Sequence, residues 1–140
     1  MSREKWKTQF QVIDSASKFH NKVRQIFATD TFFRQMKCFQ EVPVVDLCPG
    51  YRYSNHHFDW YIDELHTVLE LHGVQHYKVV NFGNVGAARA KKNFEGIQQR
   101  DQQKAQAVID AGFEYRVIKY DEIKQLDADF LKRRILLGGG

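Results

Sequence analysis

The chain has 140 residues, of which 43% are hydrophobic and 27% are charged, and these values exclude a disordered or fibrous protein. No apolar run approaches the roughly 18 residues of a membrane span, and the N-terminus lacks the apolar segment of a signal peptide, so we expect no membrane partner. Two cysteines are too few for a disulfide scaffold, which indicates free thiols and an intracellular protein, in the cytoplasm of its host or source cell.

The charge is unevenly distributed along the chain. The net charge is +4, yet residues 1–40 carry 8 basic and 3 acidic side chains, whereas residues 41–80 carry 2 basic and 6 acidic ones. Residues 81–120 are basic again, with 7 basic and 4 acidic side chains. A basic surface around an acidic centre is typical of proteins that hold a polyanion at a carboxylate metal site. Chance clustering of solvated charge would explain the same counts.

The pattern of the first half predicts one helix and three strands. Apolar residues recur at helical spacing within residues 19–27. Residues 38–47 are typical of a strand, and Pro43, which cannot donate to a ladder, indicates an edge strand or a bulged one. Two further strands, at residues 57–63 and 66–72, are separated by so few residues that they must form a hairpin.

The pattern of the second half predicts a basic loop, a long helix, a strand and a helical tail. The loop covers residues 78–92, and the helix covers residues 93–111, with Gly112 just past its C-terminus. Residues 114–120 form the next strand. The apolar side of the long helix comprises Phe94, Ile97, Ala105, Val108 and Ile109. The resulting order, α-β-β-β-α-β with a C-terminal helix, is an α/β (α+β) fold in a single domain of residues 1–140.

The hairpin places two carboxylates side by side. Either a two-residue or a four-residue turn gives one register, in which Asp59 lies opposite Glu70. On the other face, Phe58 lies opposite Leu71 and Trp60 opposite Leu69, which suits a core. Directly opposed like charges are destabilising. A bound Mg²⁺ or Mn²⁺ would offset that cost, as would Lys or Arg side chains from elsewhere in the chain.

Five of the six histidines lie between His56 and His76. Their spacing matches no zinc finger and no helical pair of ligands. His72 lies opposite His57, beside the carboxylate pair, in the register given above. His76 follows the bend expected at Gly73, where its side chain can reach the carboxylate site, and imidazole is the side chain best suited to proton transfer at neutral pH.

Asp101 falls on the stripe of the long helix that should be apolar, and Lys104 follows three residues later. One interpretation is an ion pair within the helix at the edge of the stripe. The other is that Asp101 is directed towards the carboxylate site, because a charge on a buried stripe is costly without partners.

These segments resemble the phage-associated homing endonucleases called EDxHD, which are related to the very-short-patch mismatch-repair endonuclease within the PD-(D/E)XK superfamily. The resemblance covers about residues 17–122. It is carried by residues 58–62, by His-Gly-Val-Gln-His-Tyr at 72–77, by Arg-Asp-Gln-Gln-Lys at 100–104, and by the strand that follows Gly112. It implies the restriction-endonuclease-like fold, whose core has the order α-β-β-β-α-β.

The resemblance also implies which residues act. Asp59 matches the motif's first Asp, Gln75 and His76 match its x-His, and Asp101 matches its last Asp. Glu70 matches the second acid of the superfamily, which often has Lys two residues later, where this chain has His72. The family's first Glu has no clear counterpart, and His20 lies about where it is expected. The implied catalytic set is Asp59, Glu70, His72, Gln75, His76, Asp101 and His20.

The function expected from this resemblance is that of a metal-dependent DNA endonuclease of the homing or nicking type. Mg²⁺ or Mn²⁺ would be held by Asp59 and Glu70, and His76, with His72, would handle protons while Asp101 orients His76 or Lys104. A double-strand cut needs a homodimer or two sequential nicks. The expected DNA contacts are Lys22, Arg24, Arg89, Lys91, Lys92 and Lys104. The alternatives are a junction-resolving or mismatch-nicking nuclease and a catalytically inactive nucleic-acid-binding module.

Overall fold

The computed structural model describes residues 6–8, 18–80 and 85–138 and has a mixed α+β fold. Its helices are α1 (Lys18–Thr29), α2 (Thr31–Arg34), α3 (Val44–Leu47), α4 (Ala87–Asp110) and α5 (Ala128–Leu137). Its strands are β1 (Lys7–Thr8), β2 (Cys38–Pro43), β3 (His57–Ile62), β4 (Thr67–His72) and β5 (Glu114–Lys119). Short 3-10 helices cover Asp63–Leu65, Val74–His76 and Tyr120–Gln125. The predicted order of the main helices and strands is confirmed.

The strands form one mixed sheet in the order β1-β2-β3-β4-β5. Strands β1 to β4 pair antiparallel, and α4 carries the chain across so that β5 pairs parallel to β4. All six residues of β4 are buried, because helices cover both faces of the sheet. Such complete burial is typical of a strand between two helical layers. No helix within the described ranges is long and apolar enough to cross a membrane.

Two apolar clusters lie on opposite sides of the sheet. The first joins the apolar faces of α1 and α5 to one side of β3 and β4, and it includes Phe19, Val23, Phe27, Trp60, Leu69, Leu131 and Ile135. The second lies under α4 and includes Phe39, Val42, Phe58, Tyr61, Val68 and Val108. The helical stripe predicted for residues 19–27 is confirmed. The two cysteines, Cys38 and Cys48, are both buried free thiols, as expected.

The strand predicted for residues 38–47 ends at Pro43, and α3 follows it directly. Pro43 lies opposite His57 as the last residue of the ladder, because it has no N–H with which to continue the pairing. Of the two alternatives predicted for this strand, the edge strand is wrong, since the two-residue β1 pairs on the outer side of β2. The ladder is instead interrupted within β2, between Gln40 and Val42.

The alternation of side chains along β2 and β3 changes at Glu41 and Asp59. Pairing passes from Gln40–Trp60 directly to Val42–Phe58, and Glu41 has a φ of 56°, which is unusual for a residue other than glycine. As a result, Phe58 packs in the cluster under α4, away from Trp60. The predicted placement of Phe58 and Trp60 on one face is therefore wrong, and both faces of the sheet, not one, bury apolar side chains.

Helix α4 begins at Ala87, six residues earlier than predicted, so the expected basic loop at 78–92 is shorter and partly helical. Residues 81–84 of that loop lie outside the described residues. Ile109, expected on the apolar side, is 53% exposed, whereas Val108 is buried. Gly112 follows the end of the helix with a φ of 92°, as predicted for a residue at this position. The predicted helical tail consists of a 3-10 helix and then α5.

Removal of the cap of α5 should destabilise the protein. Asp127 precedes the helix, and its carboxylate accepts a hydrogen bond of 2.8 Å from the backbone N–H of Phe130. Asp127→Ala should lower the free energy of unfolding by about 1 kcal/mol, because a helix N-cap contributes about that much. Urea denaturation measures the difference. Asp129→Ala, an exposed position in the first turn of the same helix, is the control, and an equal loss in both variants would contradict the capping role.

Candidate active site

The carboxylates of Asp59 and Glu70 lie where β3 and β4 separate. Backbone pairing of the two strands runs from Ile62–Thr67 to Trp60–Leu69, which confirms the predicted register and its four-residue turn. Beyond Trp60 and Leu69, the carboxylates of Asp59 and Glu70 accept hydrogen bonds from N–H groups of the opposite strand. The N–H of Asp59 donates to Glu70 Oε1 at 3.0 Å, and the N–H of Leu71 donates to Asp59 Oδ2 at 2.8 Å. The predicted juxtaposition of the two acids is confirmed.

Lys104 of α4 is buried against this pair. Its ammonium group donates to Glu70 Oε2 at 2.9 Å and to the backbone carbonyl of His57 at 2.7 Å. Lys104 was expected to contact DNA, and the structure places it in the lining of the cleft, with a side chain that is 9% exposed and an ammonium group paired with Glu70. A buried charge of this kind is tolerated when it is paired and hydrogen-bonded.

The two carboxylates differ in their ease of ionisation. Burial raises the pKa of the Asp59 carboxyl well above its usual value, and the negative charge of Glu70 raises it further. Burial acts on Glu70 in the same direction, but the neighbouring His72 and Lys104 outweigh it, so the pKa of Glu70 is lowered. Of these two neighbours, Lys104 is in hydrogen-bonding range, whereas His72 Nε2 is 3.8 Å from Glu70 Oε2. Glu70 is therefore the ionised member, and Asp59 is the member that binds a proton readily.

His76 and Asp101 form a hydrogen-bonded pair. The distance from His76 Nδ1 to Asp101 Oδ2 is 2.6 Å, and the carboxylate must accept, so Nδ1 carries a proton and, in the neutral imidazole, Nε2 carries the lone pair. Of the two interpretations of Asp101, the one that directs it towards the site is confirmed. The ring of His76 stacks on that of His72, with centroids 4.2 Å apart and planes 3° from parallel. His72 is held in turn by a bond of 2.9 Å between its Nδ1 and the hydroxyl of Tyr77.

The bend predicted at Gly73 allows this arrangement. Strand β4 ends at His72, and a 3-10 helix over Val74–His76 brings His76 towards α4. A Cβ atom at Gly73 would lie 2.5 Å from Oε1 of Gln75, so a larger residue would displace the Gln75 amide. Gln75 belongs to the wall of the cleft that these residues share.

A cleft of about 480 Å³ joins the predicted site residues. It is lined by His20 of α1, by Asp59 and Glu70 of the hairpin, by Gln75 and His76 after the bend, and by Arg100 and Lys104 of α4. Burial lowers the pKa of His20, although the charges of Glu41 and Glu70 act in the opposite direction. The structure thus gathers the predicted catalytic residues around one cleft, with His72 and Asp101 directly behind His76.

Two groups of side chains could bind a metal ion. Asp59 and Glu70 offer carboxylate oxygens, which suit Mg²⁺ or Mn²⁺, and within the described chain Asp59 Oδ1 receives no hydrogen bond. This donor set fits a hard divalent cation. His72, His76 and Asp101 also place potential ligand atoms within 4.8 Å of one another. The two imidazole rings are parallel and stacked, so their in-plane lone pairs do not converge, and this second group is better suited to proton transfer.

The other predicted DNA contacts lie at different depths. Arg89, Lys91 and Lys92 are exposed on the first turns of α4. Lys22 is half-buried and donates to the backbone carbonyl of Ile123 at 3.1 Å. Arg24 is also half-buried, and its Nε atom has no hydrogen-bond partner in the described part of the protein.

Some features of the site were not predicted from the sequence. The pairing of Lys104 with Glu70 had a signal in the sequence, because Asp101, Lys104 and Val108 share one helical face. The contribution of Glu41 to the site had no signal in the sequence. Its charge helps to raise the pKa of Asp59, and its backbone φ is 56°.

Comparison of this chain with protein-family models, with curated proteins and with solved structures finds no match.

The two carboxylates should respond oppositely to neutralisation when divalent cations are absent. Asp59→Asn should leave the protein at least as stable as the wild type at pH about 7. Because the pKa of Asp59 is raised in the folded state, its contribution to stability is present below the ordinary carboxyl pKa and is lost as pH rises through the raised value. The advantage of the Asn variant should therefore disappear at pH about 4.

Glu70→Gln should instead lower the free energy of unfolding by about 3 kcal/mol, because it leaves Lys104 buried without a counter-ion. Urea denaturation in EDTA compares the two variants. Equal destabilisation by both substitutions would contradict the unequal roles assigned to these carboxylates.

Proposed function

We propose that the protein is a metal-dependent DNA endonuclease that hydrolyses phosphodiester bonds on a restriction-endonuclease-like fold. The order α-β-β-β-α-β and the mixed sheet support this fold. The observation that carries the proposal is the convergence of Asp59, Glu70, Lys104 and the His76–Asp101 pair around one cleft. These residues come from β3, β4, the bend after β4 and α4, and they combine carboxylates, a cation and a proton-transfer group.

Mg²⁺ or Mn²⁺ would be held by Asp59 and Glu70, and when bound it would supply Lewis-acid stabilisation of the charge that develops on the phosphate. Lys104 keeps Glu70 ionised and fixes its carboxylate through the bond at Oε2. The same ammonium supplies a positive charge beside the second acid, where the sequence has His72 in place of the lysine that is frequent in the superfamily.

His76 transfers the proton in this proposal. Asp101 holds its Nδ1–H, which leaves the lone pair of Nε2 to accept a proton from the attacking water. The stacked His72 ring restricts the motion of the His76 ring. The water oxygen forms the new bond to phosphorus as its proton passes to Nε2 of His76, and the bond to the 3′ oxygen breaks. The 3′ oxygen takes a proton from solvent, to which the His76 imidazolium later returns its own. A fixed imidazole suits this reaction because general acid–base catalysis needs a group placed within hydrogen-bonding reach.

A nuclease that resolves junctions or nicks mismatched DNA is the second candidate, and a groove beside the cleft favours it, because its lining includes the cations Arg52, Lys78, Arg89, Lys92 and Arg100. A binding module without catalysis would use the same cationic residues.

The decisive experiment incubates supercoiled plasmid with the protein and Mg²⁺, with EDTA and Asp59→Asn as controls. We expect nicked or linear product with the wild type alone. If the protein binds DNA but cleaves none in Mg²⁺ or Mn²⁺, the nuclease proposal is wrong and the protein is a nucleic-acid-binding module.

Removal of the proton-transfer group should slow cleavage strongly. His76→Ala should lower the cleavage rate by about 10²–10⁴-fold, the contribution of a positioned general acid or base, with little change in DNA affinity. Rates of plasmid nicking under single-turnover conditions measure the effect. The control is His66→Asn, because His66 is exposed in the hairpin turn with a φ of 52°, a conformation that Asn tolerates. Equal effects of the two substitutions would exclude a specific role for His76.

A further inference from the structure

A second and larger cavity of about 1180 Å³ lies beside the cleft, along the first half of α4. It is called the basic groove here, and its cationic lining residues are Arg52, Lys78, Arg89, Lys92 and Arg100. No described residue that lines it is acidic. With no acidic side chain among the described lining residues, these five cations repel one another, so the groove favours an anionic occupant. Three of these cations, Arg52, Lys78 and Arg100, were not among the DNA contacts expected from the sequence.

The basic groove continues into the cleft that holds the carboxylates. His56, Gln75 and Arg100 line both cavities, so an extended ligand in the groove leads to Asp59 and Glu70 without leaving the protein surface. The exposed Arg100 precedes Asp101 in the chain, which places a guanidinium at the boundary between the two cavities. A linear polyanion fits this shape, whereas a small anion would not need the whole length.

The lining also contains groups that suit nucleobases. Half-buried apolar side chains, those of Tyr53, Phe94 and Ile97, lie among the cations. The ring of Tyr53 already stacks on His56, with centroids 4.7 Å apart and planes 25° from parallel. Amide side chains of Asn93, Gln99 and Gln103 complete the lining. Proteins that bind single strands combine a cationic groove for the backbone with aromatic surfaces on which bases stack.

We propose that the basic groove binds an unpaired segment of nucleic acid and delivers the adjoining phosphate to the carboxylate cleft. This proposal rests on the proposed function and adds a substrate class to it, a DNA that is unpaired beside the cleavage point. A regular duplex exposes phosphates and hides the faces of its bases, so it would leave the apolar and amide part of the groove without a partner. An unpaired strand can contact the cationic part of the groove with its phosphates and the apolar and amide part with its bases.

The first test compares the binding of two probes in EDTA, which prevents cleavage. Fluorescence anisotropy measures the affinity of the protein for a labelled oligothymidylate of about 20 nucleotides and for a labelled blunt duplex of the same length. We expect the oligothymidylate to bind more tightly at equal salt. Equal or tighter binding of the duplex overturns the proposal and makes the groove a duplex-backbone site.

The second test uses matched pairs of variants to compare residues that line the groove with exposed residues that do not. Lys92→Ala should reduce the magnitude of the salt slope for the oligothymidylate by about 0.7, the value for one phosphate contact with a single strand. Lys124→Ala is the control, because Lys124 is an exposed lysine of the 3-10 helix over Tyr120–Gln125 and does not line the groove. Identical slopes for the two variants contradict the proposal.

Phe94→Leu keeps an apolar side chain on α4 but removes the ring, so it should weaken oligothymidylate binding about fivefold or more, at high salt as well as low. Ile109→Ala, which changes an exposed apolar residue of the same helix outside the groove, should have no effect. Unchanged binding by Phe94→Leu overturns the stacking part of the proposal.

The plasmid assay distinguishes failure of this proposal from failure of the proposed function. If the wild type cleaves DNA and the groove variants bind normally, the nuclease assignment stands and the groove assignment falls. If the wild type cleaves nothing while oligothymidylate binding depends on Lys92 and Phe94, the groove stands and the nuclease assignment falls.

Discussion

Two neighbouring carboxylates at the open end of a hairpin, the buried Glu70 and the half-buried Asp59, impose the main constraint on this structure. Two negative charges on neighbouring side chains destabilise a folded protein unless a proton, a cation or hydrogen bonds offset their repulsion. Here the ammonium group of Lys104 compensates Glu70, and backbone N–H groups bond to both acids. Asp59 keeps a raised pKa, so it is the member of the pair that a further cation would affect most.

This constraint gives α4 its dual role. The helix must lie against β4 so that Lys104 reaches Glu70, and Val108, one turn further on, is buried in the cluster beneath the helix. Asp101, one turn earlier, bonds to His76. A single packed helix thus supplies the counter-ion, the partner of the imidazole and, nearer its N-terminus, the cations of the basic groove. A shift of α4 by one residue would disturb all three together.

Local irregularity in the sheet is part of the same arrangement. A regular hairpin would continue to pair through Asp59 and Glu70 with its backbone, and both side chains would then project from a flat sheet. The positive φ of Glu41 and the altered alternation at Phe58 accompany the separation of β3 from β4. The space between the strands is where the carboxylates accept N–H groups. Backbone strain of this kind is common beside functional sites.

Hydrophobic spacing and charge in the sequence were sufficient to predict the element order, the hairpin register and the closeness of Asp59 to Glu70, because these depend on local periodicity and on short turns. The bend at Gly73 and the misplaced charge of Asp101 were also visible there. The pairing of Lys104 with Glu70, the conformation of Glu41 and the continuity of groove and cleft were decided only by tertiary structure. The Lys104–Glu70 pair and the two cavities depend on how α4 packs against the sheet, whereas the conformation of Glu41 belongs to β2. Helical spacing indicates which face of α4 is buried, but it does not indicate which strand residue Lys104 meets, because that residue lies far away in the chain.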